Sequence, residues 1–220
     1  MKRYCGDLIC TDANTDFMLQ DNFIKSYDEV KKTDTRGYLG EYDIRWRIHT
    51  ILWAASTVKN LDGDFVDCGG GFGYFMSSIY KYLNFENLNK KYYMFDSFSG
   101  TSPEFDSTNH FTKYGSWYSD IIKNHNSKKN LEIIQGYLPH TLSKVKIDKI
   151  SFLSIDLNSY KPEIECMNFL WDRIIKGGII VLDDYAFPGC ESQFLNHNEF
   201  IKTKDKEILT LPTGQGLIVK

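Results

Sequence analysis

The residues with the clearest chemical potential lie in one glycine-rich stretch. The run from Gly63 to Phe75 contains a short apolar segment that reaches Asp67, and a turn with Gly69, Gly71 and Gly73 follows at once. Apolar side chains then recur at helical spacing. A strand, a glycine loop and a helix in this order let a ligand lie directly against the backbone, because glycine has no Cβ to keep it away. The stretch therefore predicts a site for a nucleotide-type cofactor.

The spacing of the glycines narrows the choice of cofactor. A dinucleotide fingerprint needs a third glycine, but Tyr74 or Met76 stands at that position in the two registers, and no P-loop lysine follows. The remaining pattern, an acidic residue followed by alternating glycines, resembles motif I of S-adenosylmethionine-dependent methyltransferases. There the acidic residue and the open backbone accept the amino-acid end of the cofactor. The resemblance implies cofactor contacts by Asp67, Gly69, Gly71, Phe72 and Gly73.

A second predicted strand, Tyr92–Asp96, ends in a carboxylate that could bind a ribose. Asp96 can accept hydrogen bonds from two hydroxyls at once. NAD enzymes share this feature, and Asp96 could instead cap the next turn, so this residue alone does not identify the cofactor. The neighbouring Ser97, and Gly136 with Tyr137 after the third strand, are further expected cofactor contacts by position.

Three more carboxylates stand at the ends of two other predicted strands. One apolar strand ends in Asp156, and a later one ends in Asp183 and Asp184. In a doubly wound sheet ligands bind beyond the carboxyl ends of the strands, so we expect these side chains to converge. Their mutual repulsion favours a bound divalent cation, with Mg²⁺ preferred and Mn²⁺ or Ca²⁺ as alternatives. Capping of the following turns is the competing interpretation.

The apolar segments predict the elements that would position these residues. We expect strands at Phe65–Cys68, Tyr92–Asp96, Leu131–Gln135, Ile150–Asp156, Gly178–Asp183, Glu207–Leu211 and Gly216–Val219. Helical stretches separate the first five, which indicates a Rossmann-like α/β fold: a doubly wound, seven-stranded sheet with a C-terminal β-hairpin. Residues 1–220 are expected to form a single domain. Within it, residues 1–40 are expected to form a helical N-terminal extension or lid, and 98–129 a lid insertion.

Charge and cysteine content limit the cell compartment and the class of partner. The net charge of −3 gives no electrostatic case for nucleic acid or for an anionic membrane. No apolar run is long enough to span a bilayer, and the first residues lack the apolar core of a signal peptide, so we expect a cytoplasmic protein. The five cysteines, Cys5 and Cys10 included, are scattered, which argues against a disulfide framework or a zinc site. The oligomeric state stays open, with a homo-oligomer as one option.

Three segments resemble a particular enzyme family. Gly177–Tyr185, Ile155–Tyr160 and Phe95–Gly100 are similar to the macrocin and mycinamicin sugar O-methyltransferases, and the resemblance covers about residues 40–220. In that family the matching aspartates hold Mg²⁺, which implies the same role for the three acidic residues at the strand ends. The resemblance also implies that Asp156 is the catalytic base.

The expected reaction is therefore Mg²⁺-assisted methylation of a hydroxyl on a sugar or glycoside. Asp156 would take the hydroxyl proton, with His110 as the alternative base and His49 as a structural residue. Aromatic residues of the lid insertion could pack on the sugar or simply fold inward; they are Phe105, Phe111, Tyr114, Trp117 and Tyr118. Three other functions stay open: methylation of a catechol-like acceptor, non-catalytic S-adenosylmethionine binding, and NAD(P)-dependent oxidoreduction.

Overall fold

The computed structural model describes residues 3–35, 37–40, 42–105 and 116–220. The strands are β1 (Tyr4–Gly6), β2 (Ile9–Thr11), β3 (Asp64–Cys68), β4 (Tyr92–Asp96), β5 (Leu131–Gln135), β6 (Ile150–Ile155), β7 (Ile174–Leu182), β8 (Leu209–Thr210) and β9 (Gly216–Val219). The α-helices are α1 (Asp21–Thr33), α2 (Arg45–Val58), α3 (Tyr74–Leu83), α4 (Tyr118–His125), α5 (Tyr160–Leu170) and α6 (Glu191–Lys202). Among these helices, none combines the length and the apolar character that crossing a bilayer requires.

The main sheet has seven strands in the order β5-β4-β3-β6-β7-β9-β8. Strands β3 to β7 are parallel, and β9 is antiparallel to both β7 and β8. The expected α/β fold and its C-terminal hairpin are confirmed. The chain order reverses between β3 and β6, and such a switch point opens a crevice beyond the carboxyl ends of the strands.

Two apolar cores cover the two faces of the sheet. Along β3, Phe65 belongs to the core that contains side chains of α1, α2 and α3, whereas Val66 belongs to the core beneath α5 and α6. Phe152 and Leu153 of β6 alternate in the same way. Because both faces are buried, the central strands are apolar at successive positions. The sheet is therefore a rigid platform whose carboxyl edge carries the loops described below.

The N-terminal segment combines the expected helix, α1, with a hairpin that the sequence does not predict. Strands β1 and β2 pair antiparallel, and their register places Cys5 directly opposite Cys10. These two cysteines form a disulfide, while Cys68, Cys166 and Cys190 are free. The expectation of unpaired cysteines is thus wrong for one local pair, because the hairpin brings its two thiols together.

The second half of the expected lid insertion contains α4. Residues 106–115 lie outside the described residues, and with them three residues singled out from the sequence: His110, Phe111 and Tyr114. Trp117, just before α4, is buried and its backbone N–H donates to the carbonyl of Phe98. This contact holds α4 beside the segment that follows β4.

Candidate active site

A cavity of about 380 Å³ lies at the carboxyl edge of the sheet. The glycine loop after β3, the segments after β4 and β5, and the ends of β6 and β7 all contribute to its lining. Residues of the N-terminal segment, among them Asp7, Tyr38 and Tyr42, line it as well. The cavity occupies the crevice that the strand order creates.

The glycine loop touches the end of β6 on one side and leaves open space on another. Gly69 has a φ of +93°, and a Cβ built on it would lie 1.8 Å from the backbone oxygen of Asp156. Gly71 has a φ of +52°, but a Cβ there would meet no atom closer than the carbonyl oxygen of Gly69 at 4.0 Å. Gly69 is therefore required for packing, and Gly71 leaves room for a ligand to approach the backbone.

Asp96, at the end of β4, faces the cavity and also holds the glycine loop. Its carboxylate accepts hydrogen bonds from the backbone N–H of Gly71 at 2.7 Å and of Phe98 at 2.5 Å. Burial raises the pKa of Asp96, and these two hydrogen bonds partly offset that rise. Because an ionised carboxylate has about four lone-pair positions, Asp96 can still accept bonds from a bound ligand.

The other expected cofactor residues divide into two groups. Gly69, Gly71, Phe72, Ser97, Gly136 and Tyr137 line the cavity together with Asp96. Asp67 and Gly73 are not part of that lining. The fully buried Asp67 accepts hydrogen bonds from Ser154 at 2.7 Å and from Tyr92 at 3.2 Å, and burial raises its pKa to about 7. Its contact with a cofactor stays a prediction, since its visible partners lie within the sheet.

Asp156, Asp183 and Asp184 meet at the edge of the same cavity. One carboxylate oxygen from each lies within 4.8 Å of the other two. Residues Ile155 and Leu182 are partners in the register of β6 and β7, so the aspartates that follow them emerge side by side. Burial and the two neighbouring carboxylates raise the pKa of Asp156, and burial and Asp183 raise that of Asp184 to about 7.

Asp183 has two partners that the sequence analysis missed. One of its oxygens lies 2.7 Å from Nη1 of Arg47, and the other accepts a hydrogen bond from Nε2 of Gln215 at 2.9 Å. Arg47 lies on α2 three residues after Ile44 and four before Ile51, both buried, so it shares the apolar face of that helix. An arginine on the apolar face of a helix is the feature of the sequence that could have predicted this buried ion pair.

Aromatic side chains form much of the remaining wall. Tyr38 and Tyr42 stack with ring centroids 4.7 Å apart. Burial and the charge of Asp156 raise the pKa of Tyr38 to about 12. Trp117 folds inward: its Nε1 donates to the carbonyl of Gly71 at 3.0 Å, and its ring lies 5.1 Å from that of Phe72.

Two buried histidines lie outside the cavity lining. Nε2 of His197 is 2.8 Å from Glu163, whose other oxygen accepts a hydrogen bond from the backbone N–H of Leu157 at 3.3 Å. This pair supports the residue next to Asp156. His125 of α4 packs against Gly73, and burial lowers its pKa to about 4. His49 stacks on Phe17 with centroids 3.8 Å apart, which fits the structural role expected for it.

A parallel sheet with a cavity at its switch point, a glycine loop after one strand and a carboxylate after the next is common to dinucleotide-binding folds and Rossmann-like methyltransferases. The model of the Macrocin-O-methyltransferase (TylF) family matches residues 45–206 of the chain. The chain belongs to this family and is an S-adenosylmethionine-dependent O-methyltransferase. This result removes the NAD(P)-dependent oxidoreductase from the alternatives.

Solved structures share the fold at low sequence identity. The O-methyltransferase NovP superposes with a TM-score of 0.64 at 18% identity, covering 79% of each chain. The calicheamicin methyltransferase CalS11 has a TM-score of 0.61 at 12% identity and covers 95% of this chain and 98% of its own. An O-methyltransferase from Bacillus cereus, in complex with S-adenosylhomocysteine (SAH), has a TM-score of 0.59 at 12% identity and covers 89% and 90%. No curated protein sequence matches the chain.

Proposed function

We propose that the enzyme methylates a hydroxyl of a sugar or glycoside, with Mg²⁺ held by Asp156, Asp183 and Asp184. The observation that carries the proposal is the meeting of these three carboxylates, within 4.8 Å of one another, at a cavity that the glycine loop also lines. Family membership supports the sugar acceptor. So does the description of CalS11, a structural neighbour, as a TDP-rhamnose 3'-O-methyltransferase.

The residues beside the glycine loop fit S-adenosylmethionine. The open space at Gly71 admits a ligand to the backbone, and the free lone pairs of Asp96 suit a ribose. The loop is not followed by a phosphate-binding lysine, which agrees with a cofactor that carries no phosphate. When bound, S-adenosylmethionine would supply a methyl group that its sulfonium already activates.

The acidic cluster fits a hard divalent cation. Its donors are all carboxylate oxygens, the type that Mg²⁺ prefers. Arg47 offsets only part of the negative charge, because among the three carboxylates of the cluster its ion pair is with Asp183. When bound, Mg²⁺ would lower the pKa of an acceptor hydroxyl and orient a vicinal diol.

The side chains of this enzyme would then position the acceptor and remove its proton. A carboxylate oxygen of Asp156 would accept the hydroxyl proton. The acceptor oxygen would form its bond to the methyl carbon as the methyl–sulfur bond breaks. Tyr38 and Phe187, which line the cavity, would exclude water, and a dry site favours a reaction in which opposite charges disappear.

The test is methyl transfer to nucleotide sugars, glycosides and catechols, with SAH formation measured by mass spectrometry. We expect a sugar or glycoside to be methylated, with activity lost in excess EDTA and restored by Mg²⁺. Asp156→Asn should lower kcat at least about 100-fold while calorimetry shows unchanged SAH affinity. Asp148→Asn removes the same charge at an exposed position and is the control.

Different results would overturn different parts of the proposal. Full turnover in EDTA would overturn the proposed role of the metal. A preference for catechols would overturn the sugar as acceptor but not the methyl transfer itself. Wild-type kcat in Asp156→Asn would exclude this residue as the base. Tight SAH binding without methylation of any acceptor in the panel would favour a non-catalytic binding module.

A further inference from the structure

The turn of the N-terminal hairpin carries an aspartate into the acidic site. Gly6 and Ile9 are register partners, so the turn consists of Asp7 and Leu8 alone. Both have left-handed backbones, with φ values of +46° and +66°. Two positive φ angles are typical of a type I′ turn, which favours asparagine, aspartate and glycine, so Asp7 suits its position and the backbone strain falls on Leu8. The turn places the Asp7 side chain in the lining of the cavity.

Asp7 forms a bidentate ion pair with Arg47. Its two oxygens lie 3.1 Å from Nε and 3.1 Å from Nη2 of the guanidinium, and both side chains are 8% exposed. Nη1 of the same guanidinium lies 2.7 Å from a carboxylate oxygen of Asp183 and donates to its backbone oxygen at 2.9 Å. Asp7, Arg47 and Asp183 thus form one buried chain of contacts that ends at the acidic cluster.

The charge of Arg47 makes its orientation important for any cation at that cluster. A guanidinium free to turn would pair with the aspartates and compete with a metal ion for them. Asp7 engages the two nitrogens that do not face Asp183, and it adds one more negative charge nearby. One of them, Nη2, also donates to the carbonyl of Thr213 at 3.0 Å, so Asp7 and this carbonyl hold the guanidinium together. Arg47 can therefore fix the position of Asp183 without neutralising the whole cluster.

We propose that Asp7 is a positioning residue of the metal centre, and that the N-terminal hairpin completes the site by delivering it. The inference rests on the proposed Mg²⁺ role of the three aspartates. Residues that orient metal ligands through a second hydrogen bond typically change metal affinity by about 10- to 100-fold when they are removed. Arg47 stands in this relation to Asp183, and Asp7 acts one contact further out by holding Arg47.

The test is calorimetric titration of the full, metal-free chain with MgCl₂ alone. We expect Asp7→Asn to raise the Mg²⁺ Kd about 10-fold, the low end of that range, because Asp7 acts through Arg47. Asp12→Asn removes the same charge from an exposed site of the same segment and should change the Kd less than about twofold. In methyl transfer, Asp7→Asn should raise the Mg²⁺ concentration at half-maximal rate by the same factor as the Kd. This rise should exceed any fall in kcat measured at saturating Mg²⁺.

Each outcome bears on a separate statement. Unchanged Kd in folded Asp7→Asn, with only its melting temperature lowered, would overturn the inference and leave the metal site standing. If the wild type does not bind Mg²⁺, both the proposed metal site and the inference about Asp7 are overturned. If Asp7→Asn does not fold, Asp7→Glu keeps the charge and moves the carboxylate by one methylene. We expect this variant to raise the Kd about 3- to 10-fold, and an unchanged Kd would again overturn the inference.

Discussion

Replacing Gly71 with alanine tests where the cofactor lies. Without a ligand the new methyl group has room, because its nearest neighbour outside the adjacent residues would be 4.0 Å away. The cost to folding is the left-handed backbone at φ +52°, which is about 1–2 kcal/mol for a residue other than glycine. For a domain of this size each kcal/mol lowers the melting temperature by about 2–4 °C. Gly71→Ala should therefore fold and melt roughly 2–8 °C below the wild type.

Gly71→Ala should also weaken the binding of the cofactor, independently of its effect on folding. If the ligand lies against the backbone of Gly71, the methyl group occupies space that ligand atoms need. Overpacking of this kind costs about 1–3 kcal/mol, which corresponds to an affinity about 5- to 150-fold weaker. Calorimetric titration with SAH measures this loss directly, and thermal unfolding with and without the ligand measures it independently.

Gly69→Ala is the matched comparison. Its Cβ would lie 1.8 Å from the backbone oxygen of Asp156, so the loop or the end of β6 must move by more than 1 Å. We expect this variant to lose several kcal/mol of stability, more than Gly71→Ala loses. Wild-type SAH affinity in a folded Gly71→Ala protein would refute the assignment of the loop as the cofactor site. Equal melting temperatures for the two variants would contradict the packing argument.

Three further predictions concern groups around the site. Burial lowers the pKa of His125 to about 4, so the unfolded chain binds the proton of this residue more tightly than the folded chain does. The free energy of unfolding should therefore fall by about 2 kcal/mol from pH 7 to pH 5. This part of the loss should disappear in His125→Gln but not in the exposed control His140→Gln. Glu163→Gln should weaken the hydrogen bond to the backbone of Leu157 and lower the free energy of unfolding, measured by denaturant titration, by about 1–3 kcal/mol. SAH affinity should stay constant. Arg47→Met should cost about 3–5 kcal/mol in the metal-free protein because it leaves buried carboxylates unpaired, and added MgCl₂ should recover part of that loss in a thermal shift assay.

The central sheet was predictable because each of its parallel strands is buried on both faces. Such strands are continuous apolar segments, and β6 is an example in which every residue is buried. The hairpin β1–β2 could not be found in this way. Its strands have three residues each, which is too short for an apolar pattern, and its turn pairs one turn-forming residue, Asp7, with Leu8, which is not one.

Site residues that stand at strand ends were predictable from the sequence. Those whose role depends on the direction of the side chain were not. Asp156 and Asp183 follow directly from the parallel strands that place them. Asp67 shows the limit of motif spacing: two residues after Phe65, it points to the same face of β3 as that ring, and there it meets Ser154. Arg47 was missed because a single arginine within an amphipathic helix usually lies at the surface.

The contact between Gly69 and Asp156 links the two halves of the site. The backbone N–H of Asp156 donates to the carbonyl of Cys68 at 2.8 Å, and its own carbonyl lies where a Cβ on Gly69 would stand. The glycine loop and the first residue of the acidic cluster are therefore fixed to each other by backbone, with no side chain between them. Backbone contacts of this kind change little with sequence, whereas the aromatic wall and the Asp7 turn consist of side chains that can vary. The fold therefore fixes the proposed cofactor loop relative to Asp156, and we expect the segments packed around them to determine the choice of acceptor.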